Sequence, residues 1–478
     1  MADNLKKKTA KGMIWSTVER FSTQGIQFVF GIILARLLTP EDYGVIAMLT
    51  IFLAVSQTFI DSGFGSAIIR KIDRTEKDMA TMFFFNIVMS LVCYAVIFLA
   101  APFISRFYDM PDLVPILRVL ALKLIFQAFS TVQVTSVTIK IDFKIQAKIS
   151  LVCAILSGII GLVFAFQGFG VWSLVIQTLS STLLTSLLYT VIVRWHPTCF
   201  FSKESFKYLF SYGSKILLSG LLNKIFDNIY ALVIGKFYTA AQLGGYARAE
   251  RFAQFPSSNL TGILQRVSFP VLSTLQNNPD KLHSSYIKFL NLSAFLVFPL
   301  MMGLLALASP LTYVLLTEKW SGMILFLQIL CLSMMWYPVH AINLNLLQVI
   351  GRSDLFLKLE IIKKIISLTI LCITLPMGLV ELCIGQVVST WISLYINTYY
   401  SGKLMQAGFL MQMKFLFPLF INSVLMAATI MGINSLLPEN AYILQIAVGI
   451  FVGVLYYFVV AYLFNRKTLN ELISVFKR

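Results

Sequence analysis

Histidine is scarce in this chain. Three occur in 478 residues, and none belongs to an H-E-x-x-H pair of metal ligands. His196 and His283 fall in loops, whereas His340 stands alone in an apolar helical stretch, where a single histidine reads as a hydrogen-bonded packing group. The six cysteines (Cys93, Cys153, Cys199, Cys331, Cys372, Cys383) lie in or beside apolar runs without a C-x-x-C, so they read as packing residues and not as a disulfide framework. Neither a G-x-x-x-x-G-K-S/T phosphate loop nor a G-x-S-x-G nucleophile elbow occurs. No metal, no cofactor and no enzymatic activity are expected.

Charge is scarce too. Charged residues are 12% of the chain against 58% hydrophobic, far from the mix of a soluble globular protein. No stretch leaves room for a soluble domain. The N-terminus has lysines but no compact apolar region with a cleavage site, and so reads as retained.

What is there instead is a succession of apolar windows, each near the ~20 residues that a helical crossing needs. They run at about 12–36, 43–65, 79–101, 113–139, 146–168, 170–193, 209–235, 243–271, 286–308, 323–347, 356–380, 382–402, 415–436 and 442–464. The expected fold is an all-α polytopic membrane protein of about fourteen transmembrane helices. With the N-terminus inside, twenty-four Lys and Arg residues, from Lys6 to Arg478, fall in inner segments, and only Arg36, Arg106, Lys236 and Lys319 in outer ones. Basic flanks stay cytoplasmic, so both termini are expected inside.

The chain also repeats itself. "ARLLTPEDYGVIA" at 35–47 returns at 235–247 as "GKFYTAAQLGGYA", with Arg36 over Lys236, Thr39 over Thr239, Gly44 over Gly244 and Ala47 over Ala247. "ILRVLAL" at 116–122 resembles "FLQILCL" at 326–332. Six crossings separate the copies, which gives both halves one orientation. That is a parallel repeat about an axis along the membrane normal, with the substrate path expected between the halves. The predicted divisions are a six-helix lobe at 1–200, a second at 201–402, and two additional helices with a cytoplasmic tail at 403–478. "TPEDYG" itself reads as a tight outer turn and a marker of the repeat.

Ten basic residues remain inside the windows: Arg20, Arg118, Lys123, Lys215, Lys224, Arg248, Arg251, Arg266, Lys363 and Lys364. Five acids share that zone: Glu19, Asp61, Asp227, Glu250 and Glu360. Each costs roughly 2.5–3.5 kcal/mol at the centre of a lipid-facing helix, so most must face away from lipid. Lys215, Arg266, Lys363 and Lys364 lie near the inner boundary and are expected to snorkel to it. Arg20 lies deeper, roughly 14 Å beyond Lys11 at 1.5 Å per residue. With Gln24, Gln27 and Gly31 it forms one polar stripe, which Lys224, Asp227 and Asn228 repeat in the seventh window. Arg248 and Arg251 are expected to share a face. Internal pairing cannot neutralise ten cations with five anions. The excess implies a hydrated site for an anionic ligand.

"LARLLTPEDYGVIAM" (34–48) followed by "FIDSGFGSAIIRK" (59–71) resembles the polysaccharide transporter, or Wzx-like flippase, family of the multidrug/oligosaccharidyl-lipid/polysaccharide exporter superfamily. The branch it looks most like is that of lipopolysaccharide and exopolysaccharide biosynthesis. The resemblance implies two six-helix lobes in a V plus two further helices in a bacterial cytoplasmic membrane. It also implies passage of an undecaprenyl-pyrophosphate-linked oligosaccharide, an O-antigen or exopolysaccharide repeat unit, to the outer leaflet by alternating access. The family's cationic central cavity is matched here by Arg20, Lys123, Lys224, Arg248 and Arg251, with Gln24, Gln27, Asp227 and Asn228 as supporting polar groups. Asp61, within the second motif, reads as part of a structural turn. The expected partners are the lipid-linked oligosaccharide, membrane lipids and a coupling H+ or Na+, with no nucleic acid despite the net charge of +17. One alternative is a multidrug or peptidoglycan-precursor exporter of the same superfamily, although a cationic drug calls for an acid-dominated cavity. Another is a membrane glycosyltransferase or polymerase, which would need a catalytic domain or a large outer loop.

Overall fold

The computed structural model describes residues 2–464, with side chains described at Trp15, Glu19 and from Phe21 to Leu463. The side chain of Arg20, and all of Arg466, Lys467, Lys477 and Arg478, lie outside the described residues. Two compact units make up the chain, Met1–Gly244 and Gly245–Arg478. The first holds α1 (Ala2–Leu37), α2 (Pro40–Asp61), α3 (Phe64–Arg70), α4 (Glu76–Tyr108), α5 (Leu113–Leu120), α6 (Leu122–Ile139), α7 (Phe143–Phe166), α8 (Val171–Val193), α9 (Lys203–Phe237) and the start of α10 (Ala240–Thr274). The second holds the rest of α10, then α11 (Pro279–Ala306), α12 (Ala308–Leu315), a 3-10 turn (Glu318–Met323), α13 (Ile324–Met334), α14 (Tyr337–Val349), α15 (Ser353–Thr374), α16 (Leu379–Met405), α17 (Phe409–Asn434) and α18 (Tyr442–Phe464).

The fold is all-helical and polytopic. Each of the fourteen sequence windows contains a helix, and eleven helical stretches among the described residues are long and apolar enough to cross a membrane. α1, α10 and α15 are not among the eleven. In α1 the apolar stretch found among the described residues is the shorter Phe21–Leu37, Arg248, Glu250 and Arg251 cluster in α10, and Lys358, Glu360, Lys363 and Lys364 cluster in α15.

The polar punctuation has definite structural jobs. Thr39 caps α2, with Pro40 in the first turn, and its hydroxyl and backbone N–H donate to Asp42 Oδ2, both at 2.8 Å. Thr239 does the same for α10, its N–H and hydroxyl reaching Gln242 Oε1 at 3.1 Å each. Asp61 ends α2. Ser62 and Gly63, both at positive φ, then turn the chain into α3, so Asp61 belongs to a turn as expected. That turn lies on α9, where a Cβ on Gly213 would collide with the Ser62 carbonyl.

The compact units cut the chain differently from the 200/201 and 402/403 boundaries of the repeat. α9 packs on α2, α3 and α4, which draws it into the first unit. α17 and α18 pack on α11, and α17 also on α16, so the two additional helices are part of the second unit's core. The Trp336 ring, 1% exposed, lies 4.5 Å from Trp391, 4.9 Å from Phe298 and 5.8 Å from Phe420 of α17.

A buried polar network fastens the same helices. Tyr286 Oη donates to Asn343 Oδ1 at 2.7 Å, and Ser401 Oγ donates to the same oxygen at 2.8 Å. Gln412 of α17 donates to Tyr286 Oη and to the Ala407 carbonyl, each at 2.9 Å, and accepts from Asn343 Nδ2 at 3.0 Å. His340 is paired with Asn397 at 3.0 Å, the packing role its isolation predicted. Replacing Asn343 by Leu removes the acceptor of the Tyr286 hydroxyl and the donor to the Gln412 side-chain carbonyl, and leaves Ser401 only the 3.4 Å contact to the Asn397 carbonyl; a buried group left without its partner costs about 1–3 kcal/mol. Equilibrium unfolding in detergent should therefore show N343L losing at least ~2 kcal/mol and Y286F only about 1 kcal/mol. Equal losses would mean that the network does not close as described.

Candidate functional site

The membrane-depth cations fare differently from one another. Lys123 lies two residues beyond Ala121, where the α5 and α6 helices break. It sits ten residues into the Leu113–Ile139 stretch, roughly 15 Å along it at the helical rise. Half-buried, it makes no ion pair and no hydrogen bond among the described residues. Lys224 of α9 is half-exposed, and Asp227 approaches it at 3.7 Å from one turn on. An exposed pair at that distance is weak and leaves most of the charge available. Asn228 turns its amide back to the Lys224 carbonyl at 2.8 Å.

In α1, Gln24 is half-buried with its side-chain carbonyl lacking a partner among the described residues, and Gln27 is exposed. Glu19 is held by α7, accepting from Ser150 Oγ at 3.0 Å and from Gln146 Nε2 at 3.3 Å. The neutral partners satisfy the carboxylate without cancelling a cation. Phe30, three turns along, covers Gly158 of the same helix, so α1 lies along α7 for much of its length.

Arg248 and Arg251 do not behave as one face. Arg248 is 7% exposed, its guanidinium carbon 5.8 Å from the Trp320 ring and 6.0 Å from Phe252. An aromatic wall of that kind holds a desolvated guanidinium by cation–π attraction. Arg251 is exposed, with no ion pair or hydrogen bond among the described residues. Their separation has a non-local cause, because Trp320 comes from the 3-10 turn before α13. Lys363, expected to snorkel, is instead drawn sideways into an ion pair with Glu360 and is 14% exposed.

Of the five cations singled out by sequence, then, Lys123 and Arg251 have no ion pair among the described residues, Lys224 is weakly paired, Arg248 is walled by aromatics, and the side chain of Arg20 lies outside the described residues. Among the described residues no group of three or more His, Cys, Asp or Glu side chains could hold a metal ion.

Residues 33–325 match the protein-family model described as polysaccharide biosynthesis protein, which covers more than half of the chain. The chain belongs to this family. It is 25% identical over 360 residues to the teichuronic acid biosynthesis protein TuaB of Bacillus subtilis (strain 168), covering 74% of this chain and 73% of that one. It is 23% identical over 406 residues to the lipopolysaccharide biosynthesis protein WzxC of Escherichia coli (strain K12), covering 82% and 81%. Among solved structures, the lipid II flippase MurJ in an inward closed conformation superposes with a TM-score of 0.77 at 15% identity, over 96% of this chain and all of that one. At that identity the likeness is one of fold. The chain shares the helical architecture of that structure over nearly its whole length.

A charge kept without a partner weakens the fold that keeps it. Lys123→Met retains the stem and removes the charge, so it should leave the midpoint of thermal unfolding in detergent unchanged or raise it. A fall of several degrees would show that Lys123 has a structural partner.

Proposed function

We propose that the protein is a flippase that moves a polyprenyl-pyrophosphate-linked oligosaccharide across the bacterial cytoplasmic membrane by alternating access. The observation that carries this reading is the presence of unneutralised cations at membrane depth, Lys123 above all, in a member of the polysaccharide biosynthesis family. A pyrophosphate cannot enter hydrocarbon unaided, whereas its polyprenyl tail stays in the bilayer throughout. Cations at several depths lower the barrier for the headgroup alone. In this reading Arg20, Lys123 and Lys224 of the first unit and Arg248 and Arg251 of the second bind the pyrophosphate in turn. Gln24, Gln27, Asp227 and Asn228 orient those charges and meet the sugar hydroxyls.

The same reading takes α1, α10 and α15 as crossings despite their charges, which makes fourteen and puts both termini in the cytoplasm. It takes the 12–194 and 209–402 segments as parallel repeats. An H+ or Na+ gradient supplies any uphill drive. Relatives named for teichuronic acid and lipopolysaccharide biosynthesis support a glycan cargo, and the five deep acids against ten bases argue against a cationic drug.

The test is outer-leaflet delivery of lipid-linked repeat units at equal protein abundance. Lys123→Ala, Lys224→Ala and Arg251→Ala should each lower delivery roughly tenfold or more, the scale of losing one charge-assisted contact. Lys224→Arg should be milder because charge is kept. Unchanged delivery in the triple alanine variant would overturn the cation-guided path. External maleimide labelling checks the orientation: a cysteine at Asp42 should react from outside, and one at Lys203 or Lys281 should not.

A further inference from the structure

The two copies of the opening motif meet each other. Gly44 and Gly244 are both buried, and within the first unit each faces the backbone of the other copy's turn. A Cβ on Gly44 would collide with the carbonyl of Ala240, and a Cβ on Gly244 with the carbonyl of Pro40. Gly244 would also come within 3.0 Å of the Gly44 nitrogen. Pro40 and Ala240, like Gly44 and Gly244, occupy the same places in the two copies, so the contact is reciprocal. A side chain at either glycine could not be absorbed by a rotamer change, because the colliding atoms are main-chain carbonyls. Those carbonyls are fixed in turn by the capping boxes of Thr39 with Asp42 and of Thr239 with Gln242.

We propose that Gly44 and Gly244 form a side-chain-free clasp that closes the outer end of the transport path and must part for cargo to leave. The proposal rests on the flippase reading above. Small residues let helix backbones touch where no larger residue fits. The glycine contact itself is made by shape and contains no ion pair, while Lys236 of the second copy is paired beside it with Asp109, beyond the end of α4, at 3.0 Å. Just below, Gly235 of α9 lies against α2 and α4, where a Cβ would meet Met48 Cγ at 2.9 Å and Tyr108 Cε1 at 3.0 Å. Tyr108 in turn donates to the Met48 carbonyl at 3.3 Å. The close approach thus continues along α9 beyond the turn.

Two measurements on the full-length protein, with its six cysteines replaced, test the clasp. In the first, Ala240→Cys reports closure, because Ala240 is 7% exposed. Adding Gly44→Ala or Gly244→Ala should raise its modification by a membrane-impermeant maleimide roughly tenfold, a shift of the closed-to-open ratio toward open. Gly432→Ala, at a helical position with nothing within 4 Å of its Cβ, should change nothing. Equal labelling in the parent and both clasp variants would overturn the proposal, as would labelling from the cytoplasmic side only.

In the second, a short thiol-reversible cross-linker joins Pro40→Cys to Ala240→Cys. Delivery of lipid-linked repeat units should then fall at least roughly tenfold and return on reduction. A cross-linked protein that delivers at the parent rate would refute the gate while leaving the flippase reading intact. Failure of the uncross-linked parent to deliver any lipid-linked glycan would instead overturn the flippase reading, and the labelling experiment would still decide the clasp.

Discussion

Polar groups in a membrane-spanning protein must find partners inside the protein, because hydrocarbon offers none. The second unit meets that demand in full at its centre. Tyr286, Asn343, Ser401 and Gln412 exchange hydrogen bonds among themselves and with the backbone, and the network draws α11, α14, α16 and α17 together. Elsewhere the demand is left unmet. Lys123 stands without a partner among the described residues, and so does the side-chain carbonyl of Gln24. The proposed flippase gives such a charge a role in binding cargo.

The repeat shows how one local solution serves two places. Both copies start a helix with threonine as the cap and a side-chain acceptor three residues on, Asp42 in one and Gln242 in the other. The substitution keeps the hydrogen bond and drops the charge. In both copies the glycine two residues further on is buried by close backbone approach. Yet the repeats are not copies in their charge. At the offset of 210, Lys123 falls over Ser333, whose hydroxyl is bonded to Thr390 at 2.7 Å. The cation of one copy, unpaired among the described residues, thus matches a bonded hydroxyl in the other, so the sequence repeat does not extend to charge.

Much of the architecture was legible because it depends on local composition. Every apolar window became a helix, including the charged 243–271 stretch that hydropathy alone would have rejected and that the repeat rescued. The break at Ala121 was hidden, because both sides of it are apolar and no glycine or proline marks it. The unit boundary was also hidden, since α9 belongs to the first unit through contacts with α2, α3 and α4 that no linear repeat can express. The site was legible as a set of residues but not as an arrangement. Helical spacing places Arg248 and Arg251 about 60° apart, close enough to read as one face. Only a distant tryptophan, brought in by the turn before α13, decides that one is buried and the other exposed.

The fate of Glu19 sharpens the electrostatic argument. Among the described residues its carboxylate is met by Ser150 and Gln146 of α7, which are neutral groups. Lys363 goes the other way and is paired with Glu360 on its own helix. Lys224 likewise has Asp227 one turn away on its own helix, whereas Lys123 has no acid partner among the described residues. The aromatic wall around Arg248 stabilises its guanidinium without itself supplying negative charge. In the proposed flippase, charges held in these different ways would meet a headgroup at several points and bind it tightly at none of them.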